Sequence, residues 1–354
     1  MRFAKTACIA FSVAAIAGLS AGCSTSVSDS STSLHRSAGA EAGSGETAAK
    51  YVVWRIDDVP GDTGCSLDVL KSIVRAFSDT SGKVTTPLVF GIIGRTLDPD
   101  WDGKTWDGKP SPSKKISAAN ISAYSAYLRK LAADNPDTVE IASHSYDHPV
   151  SGGLTVMPAA KQTADLQKAQ EVIKKETGVT PTSLVLPENR FNPSTNAAMK
   201  ANGLTTQSAQ CTWSEGGFDS EWGPWHNPSS CTDANGTETS NTPDAVVYPN
   251  LAVNGITYVP AGATIEGPAG FGRFWAEPNF DAALLEQKQQ MKYQGFALNM
   301  LHVQEFGDEG TCDSPAKLDA KTSEIGDLIK KNKADGWTAT TLQGITKSAA
   351  AARK

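Results

Sequence analysis

Two histidines and two aspartates carry the chemistry that this sequence offers. His144 and His148 stand four apart in IASHSYDHP (141–149), just past a strand-like TVEIAS. Asp57 and Asp58 are consecutive in RIDDVP (55–60), at the end of YVVWRI. Residues i and i+4 face the same way across one helical turn, roughly 5–6 Å apart at Cβ. Two ring nitrogens can then converge on one ion at about 2.0–2.1 Å. Two imidazoles and a carboxylate at the ends of two strands make a three-ligand metal site, with positions left open for water and substrate. Each motif also has a plainer reading. An Asp-Asp after a strand serves as a turn or a helix cap, and His-x-x-x-His occurs as a pair of surface or buried histidines. The combination is stronger, because the chain has only five histidines and a third, His302, lies in LHVQEF after another strand-like run.

Alternating elements must position these groups. Strands are expected at YVVWRIDDV (51–59), TPLVFGIIG (86–94), DTVEIAS (137–143), TSLVLP (182–187), LTTQSA (204–209), DAVVYP, GITYVP, FALNMLH (296–302) and WTATTL. Helical periodicity covers 66–79, 116–135, 158–178, 193–203, 279–295 and 315–336, with a last helix to about Ala351. In the helix at 158–178, Leu166, Ala169, Val172 and Ile173 share one face. Strands alternating with helices predict parallel βαβ units. About seven repeats predict an α/β barrel, closed or nearly so, with functional groups on loops at the C-terminal ends of the strands. Both acidic and imidazole motifs lie there.

The chain has 354 residues, is 39% hydrophobic and carries a net charge of −6. This suits one large α/β barrel or two smaller domains. There is no basic patch, which argues against nucleic acid as a partner. No protein partner is implied.

The N-terminus reads as an address. Arg2 and Lys5 precede an apolar run, Thr6 to Ala21, that ends in LSAGC at Cys23. This is a secretory signal, too short to read comfortably as a membrane span. A Cys directly after Ala-Gly resembles a bacterial lipobox, in which that Cys is lipidated and anchors the protein to the membrane. Here Ser20 stands where Leu is usual; ordinary signal cleavage and full secretion are the alternative. Residues 24–49 are Ser/Thr/Ala/Gly-rich and read as a flexible tether, leaving 50–354 as the folded domain. Of six Cys, four lie in that domain: Cys65, Cys211, Cys231 and Cys312. An even number in an exported chain suggests two disulfides. Three pairings exist; the preferred one is Cys211–Cys231 with Cys65–Cys312.

RIDDVP, SHSYDHP, LPENRF, FW and LHVQEF, in that order, resemble the five motifs of the polysaccharide deacetylase family, carbohydrate esterase family 4, from about residue 50 to 345. The resemblance implies a deformed (β/α) barrel, a divalent metal, usually zinc, and removal of acetyl groups from N-acetylated sugars. It assigns Asp57 as general base and His302 as the general acid for the leaving amine. Asp58, His144 and His148 become the metal ligands. Asn189 falls where the family uses a backbone N–H for the oxyanion. The chain departs from the pattern in two places. The family's third motif has an Arg before its Pro that orients the base; here Val185-Leu186 precede Pro187, and Arg190 follows as a substitute. The fourth motif is reduced to Trp275 in GRFWAEP. This describes a divergent branch, and leaves open a non-catalytic carbohydrate-binding protein on the same fold, or a deacetylase of O-acetyl or non-sugar amide substrates.

Residues 211–243 read as a turn-rich insertion carrying Trp213, Phe218, Trp222, Trp225 and His226, and Trp101 and Trp106 lie in another long loop, WDGKTWDGK. Exposed indoles bind something or pack on each other. Trp222, Trp225 and Trp275 are candidate faces for sugar rings; small satellite cores under long loops are the competing reading.

Overall fold

The computed structural model describes residues 49–354, apart from 62–65, 113–114, 150–151, 210–247, 254, 261–283, 285–286, 289, 292–294, 309–310 and 313. Cys23, Cys65, Cys211, Cys231, Trp222, Trp225 and Trp275, and the side chain of Cys312, lie outside what is described, and with them both disulfides and the Trp-rich insertion.

The chain order is β1 (Lys50–Val59), α1 (Ser66–Ala76), β2 (Leu88–Ile92), α2 (Gly94–Leu97), α3 (Ala118–Asp134), β3 (Val139–Ser143), α4 (Ala159–Thr177), β4 (Ser183–Val185), α5 (Pro193–Ala201), β5 (Thr206–Ser208), β6 (Ala252–Val253), β7 (Ile256–Tyr258), β8 (Ala297–His302), β9 (Gly307–Asp308), β10 (Thr311–Cys312), α6 (Pro315–Ala334), β11 (Trp337–Thr340) and α7 (Leu342–Ala352). The main sheet has nine strands, in the order β11-β1-β2-β3-β4-β5-β7-β6, with β8 also on β1. All its pairings are parallel except β6 with β7. This is the mostly parallel α/β architecture expected of a deformed barrel. Of the strand expected at DAVVYP, residues 244–247 lie outside the described residues; Tyr248 and Pro249 form a turn with a cis peptide bond, and the short antiparallel β6 follows.

Local sequence explains where helices begin and end. Ser117 caps α3 by accepting from the Asn120 N–H. Asn192 and Thr195 form a reciprocal capping box at α5, with Pro193 in its first turn. Gly178 ends α4 in a left-handed conformation, φ 79°. Among the described residues no helix is long and apolar enough to cross a membrane.

Strand alternation then sorts the side chains. Val52, Trp54 and Ile56 of β1 pack outward in one core with Ile73, Phe77, Tyr124, Leu128 and Ile325 from the helical layer. Trp54 meets Phe77 edge-on, with centroids 5.4 Å apart. Val53 turns to the opposite face, into a second core with Val89, Leu184, Val185 and Met300. By alternation Arg55 and Asp57 share that inner face. The N-terminal end of α7 closes onto it: Gln343 Nε2 donates to Ser183 Oγ and Thr206 Oγ1, and the Gln343 N–H donates to Glu140.

Candidate active site

A plain strand would point Asp57 and Asp58 to opposite faces. The pairing of β1 with β2 slips between Ile56 and Val59, and Asp58 has φ 56°. A bulge of this kind re-aims a side chain, and here it brings both neighbouring carboxylates to one site. Asp58 Oδ1 lies 3.2 Å from His144 Nε2 and 3.1 Å from His148 Nε2. One ligand atom from each of Asp58, His144 and His148 lies within 4.8 Å of the others.

The donor set fits a divalent metal. Ligands at about 2.0–2.1 Å in tetrahedral geometry stand roughly 3.3 Å from one another, close to these separations. His144 Nδ1 is 2.9 Å from the Val185 carbonyl oxygen. A carbonyl only accepts, so Nδ1 carries a proton there, and the ring is turned with Nε2 toward Asp58. Burial pushes the Asp58 carboxyl up, but the charge of His148 and hydrogen bonds from both imidazoles outweigh it and hold it well below the usual carboxylate value. Burial likewise pushes His148 down, while the charge and hydrogen bond of Asp58, and the charge of Glu188, raise it above an ordinary imidazole.

His302 ends β8 directly opposite Asp57 in the parallel register. Its charge also reaches Asp58. The structure therefore brings Asp57, Asp58, His144, His148 and His302 together at the C-terminal ends of β1, β3 and β8.

Asn189 is placed differently from expectation. Its backbone N–H donates to the Leu186 carbonyl at 3.0 Å, so that N–H is taken up in the turn. Its side-chain Oδ1 instead faces Arg55 Nη2 at 3.5 Å. Arg190 is half-buried, and among the described residues its side chain makes no hydrogen bond or ion pair with Asp57. The guanidinium on Asp57 belongs to Arg55, two residues away on the same strand: Nε to Oδ1 is 2.8 Å and Nη2 to Oδ2 is 2.7 Å. Sequence reasoning missed this residue. The available signal was a lone Arg in an apolar strand, in phase with Asp57, since a buried guanidinium requires a partner.

Five non-glycine residues among those described have left-handed backbone: Asp58, Ser145, His148, Glu188 and Asn189. All lie at this site, Asp58 at the bulged end of β1 and the others in the loops after β3 and β4. Such conformations cost about 1–3 kcal/mol each and persist where surroundings over-determine them. The surroundings here are visible. Asp165 of α4 accepts the N–H groups of Tyr146 and Asp147, both at 2.9 Å. The His148 N–H donates to Ser145 Oγ at 3.0 Å. Gly94 and Arg95 N–H groups donate to the carbonyls of Ser145 and Tyr146.

The Trp101–Trp106 loop packs onto the same histidine loop. The Trp106 N–H donates to Asp147 at 2.7 Å, and Tyr146 Oη donates to Asp98 at 2.8 Å. Trp101 is buried under Arg95, 5.4 Å from its ring centroid. This favours the satellite-core reading for Trp101. A cavity of about 500 Å³ lies beside it, with Trp106, Tyr146 and Lys168 among its walls.

Comparison with known proteins places this geometry. The family model for polysaccharide deacetylases matches residues 110–207, the span that holds His144, His148 and the PENRF turn. Over that span the chain is similar to polysaccharide deacetylases. Among solved structures, the chain is similar in fold to a putative polysaccharide deacetylase from Mycobacterium smegmatis, at 13% identity and TM-score 0.51, over 88% of this chain and 94% of that one. It is similar to a family 4 carbohydrate esterase from Streptomyces lividans at 12% identity and TM-score 0.42, over 83% and 93%. A family 4 pseudoenzyme from Bacillus anthracis gives 12% identity and TM-score 0.43, over 83% and 64%. No curated protein sequence matches the chain.

Proposed function

We propose that this protein is an exported, metal-dependent deacetylase that hydrolyses N-acetyl groups of an amino-sugar polysaccharide of a cell wall or exopolysaccharide. The observation that carries the reading is the convergence of Asp58, His144 and His148 beside Asp57 and His302. Asp58 and the two Nε2 atoms would hold the ion; two imidazoles and a carboxylate suit several divalent metals, of which zinc is the one proposed. When bound, the ion supplies Lewis-acid polarisation of the acetyl carbonyl and a more acidic water. Asp57 takes the proton of the attacking water. His302 gives a proton to the departing sugar amine, for which an imidazole is suited near neutral pH. The missing Arg before Pro187 had favoured a non-catalytic relative; Arg55 beside Asp57 supports turnover instead. Secretion, with lipidation of Cys23, would place the enzyme at the cell surface, tethered by residues 24–49.

The test is acetate release by purified protein from a panel of N-acetylglucosamine and N-acetylgalactosamine polymers, with and without chelator. Release that chelator suppresses and Asp57→Asn abolishes is expected. No release from any polymer by metal-loaded protein would overturn the reading.

A further inference from the structure

We propose that Arg55 is the positioning residue for Asp57, fixing the plane of its carboxylate from the same strand; this rests on Asp57 as the base. Arg55 is fully buried, at 0% exposure, and Asp57 is 2% exposed. A carboxylate turns about a broad, nearly two-fold torsion, so a single contact leaves its plane free. The guanidinium fork removes that freedom by touching both oxygens, at 2.8 and 2.7 Å. Each oxygen has capacity left to accept a further proton, so the clamp orients the base without exhausting it.

The clamp is itself held from other strands. Arg55 Nη1 donates to Ser208 Oγ of β5 at 2.7 Å, and Nη2 lies 2.6 Å from Met300 Sδ of β8. Nη2 also faces Asn189 Oδ1 at 3.5 Å. Asp57 also faces Gly91 of β2. A Cβ built on Gly91 would stand 3.4 Å from both Asp57 Oδ1 and the Val185 side chain. Arg55 thus takes its bearings from β5, β8 and the Pro187–Asn189 turn, and passes them to one carboxylate.

A purely structural role, neutralising a buried charge, makes different predictions. The experiment compares full-length wild type, Arg55→Lys, Arg55→Met and Ser208→Ala for bound metal, thermal midpoint, kcat and KM for acetate release, and a crystal structure of each folded variant. Arg55→Met is expected to keep its metal and its KM within about twofold while kcat falls roughly 100-fold. Arg55→Lys keeps the charge but not the fork; its kcat stays at least about tenfold low although its midpoint recovers. Ser208→Ala, which loosens the clamp without touching Asp57, lowers kcat about threefold at unchanged KM, and serves if the Arg55 variants do not fold. In the Arg55 variants the Asp57 carboxylate should be seen rotated from its wild-type plane. Wild-type kcat in Arg55→Lys, or loss of kcat only in step with loss of metal, would overturn the proposal. If wild type itself releases no acetate, the function reading fails separately, and the Asp57 orientation still decides this one: an unmoved carboxylate in Arg55→Met overturns it.

Discussion

His148 Nε2 stands 3.1 Å from Asp58 Oδ1, an imidazole and a carboxylate drawn together where a cation is expected to sit. Asp58 raises the proton affinity of His148 and so sets protons against metal. Metal loading should therefore fall, as pH drops, at a higher pH than an ordinary imidazole would give, because the ligand must be neutral. Titration of metal content against pH, by equilibrium dialysis, checks this. His148→Ala should lose the metal at all pH values, and chelation of wild type should lower the thermal midpoint, by an amount that is about 3–4 kcal/mol where free metal had exceeded its Kd 100- to 1,000-fold.

His302 lies across from Asp57, and the acid role proposed for it makes a prediction. An amine leaving group must be protonated, and an alcohol needs this less. His302→Ala should lower amide deacetylation by about 10²–10⁴-fold and cleavage of an O-acetyl ester markedly less. Equal losses on the two substrates, measured as kcat/KM, would refute the assignment.

Asp165 anchors the histidine loop while buried, and burial pushes its carboxyl up to about 7, against the two N–H groups that lower it. Its folded pKa is raised, so the unfolded chain loses this proton first. The contribution of Asp165 to stability is then full below about pH 4 and declines as pH rises toward 7, by about 2–4 kcal/mol in all. Asp165→Asn keeps an acceptor and does not titrate. The stability difference between wild type and Asp165→Asn, followed by denaturant unfolding, should shift in this direction across that window and be flat above it.

Gly153 has φ 56°, and a Cβ there would lie 2.3 Å from the Pro187 carbonyl oxygen. That oxygen belongs to the turn carrying Glu188 and Asn189. Gly153→Ala should destabilise the protein by about 2–4 kcal/mol and lower kcat by moving this turn. Gly82, also at positive φ but with open space around it, is the control: Gly82→Ala should cost only about 1 kcal/mol and leave kcat unchanged.

The parallel α/β pattern and the grouping of Asp57, Asp58, His144, His148 and His302 were legible because strand periodicity and side-chain chemistry are local signals. Arg55 was harder. Its partner is two residues away, but its burial is set by β5 and β8, which only the fold brings near. Asn189 was misplaced because a turn's own hydrogen bond claimed the N–H that its sequence position offered. At the end of DAVVYP, Tyr248 and Pro249 are spent on a turn; Pro lacks the N–H that a central strand must donate.

The pairing of β1 with β8 and β11 has a consequence in time. Lys50 at the start of β1 pairs with Trp337 of β11, and Gln343 of α7 seals Glu140 and Ser183. The first strand cannot complete its neighbours until the last ones exist. Such long-range pairing folds slowly. A ribosome-bound chain would wait, with β1 incompletely paired, until nearly its end was synthesised. The first strand to be made is thus among the last to gain all its neighbours.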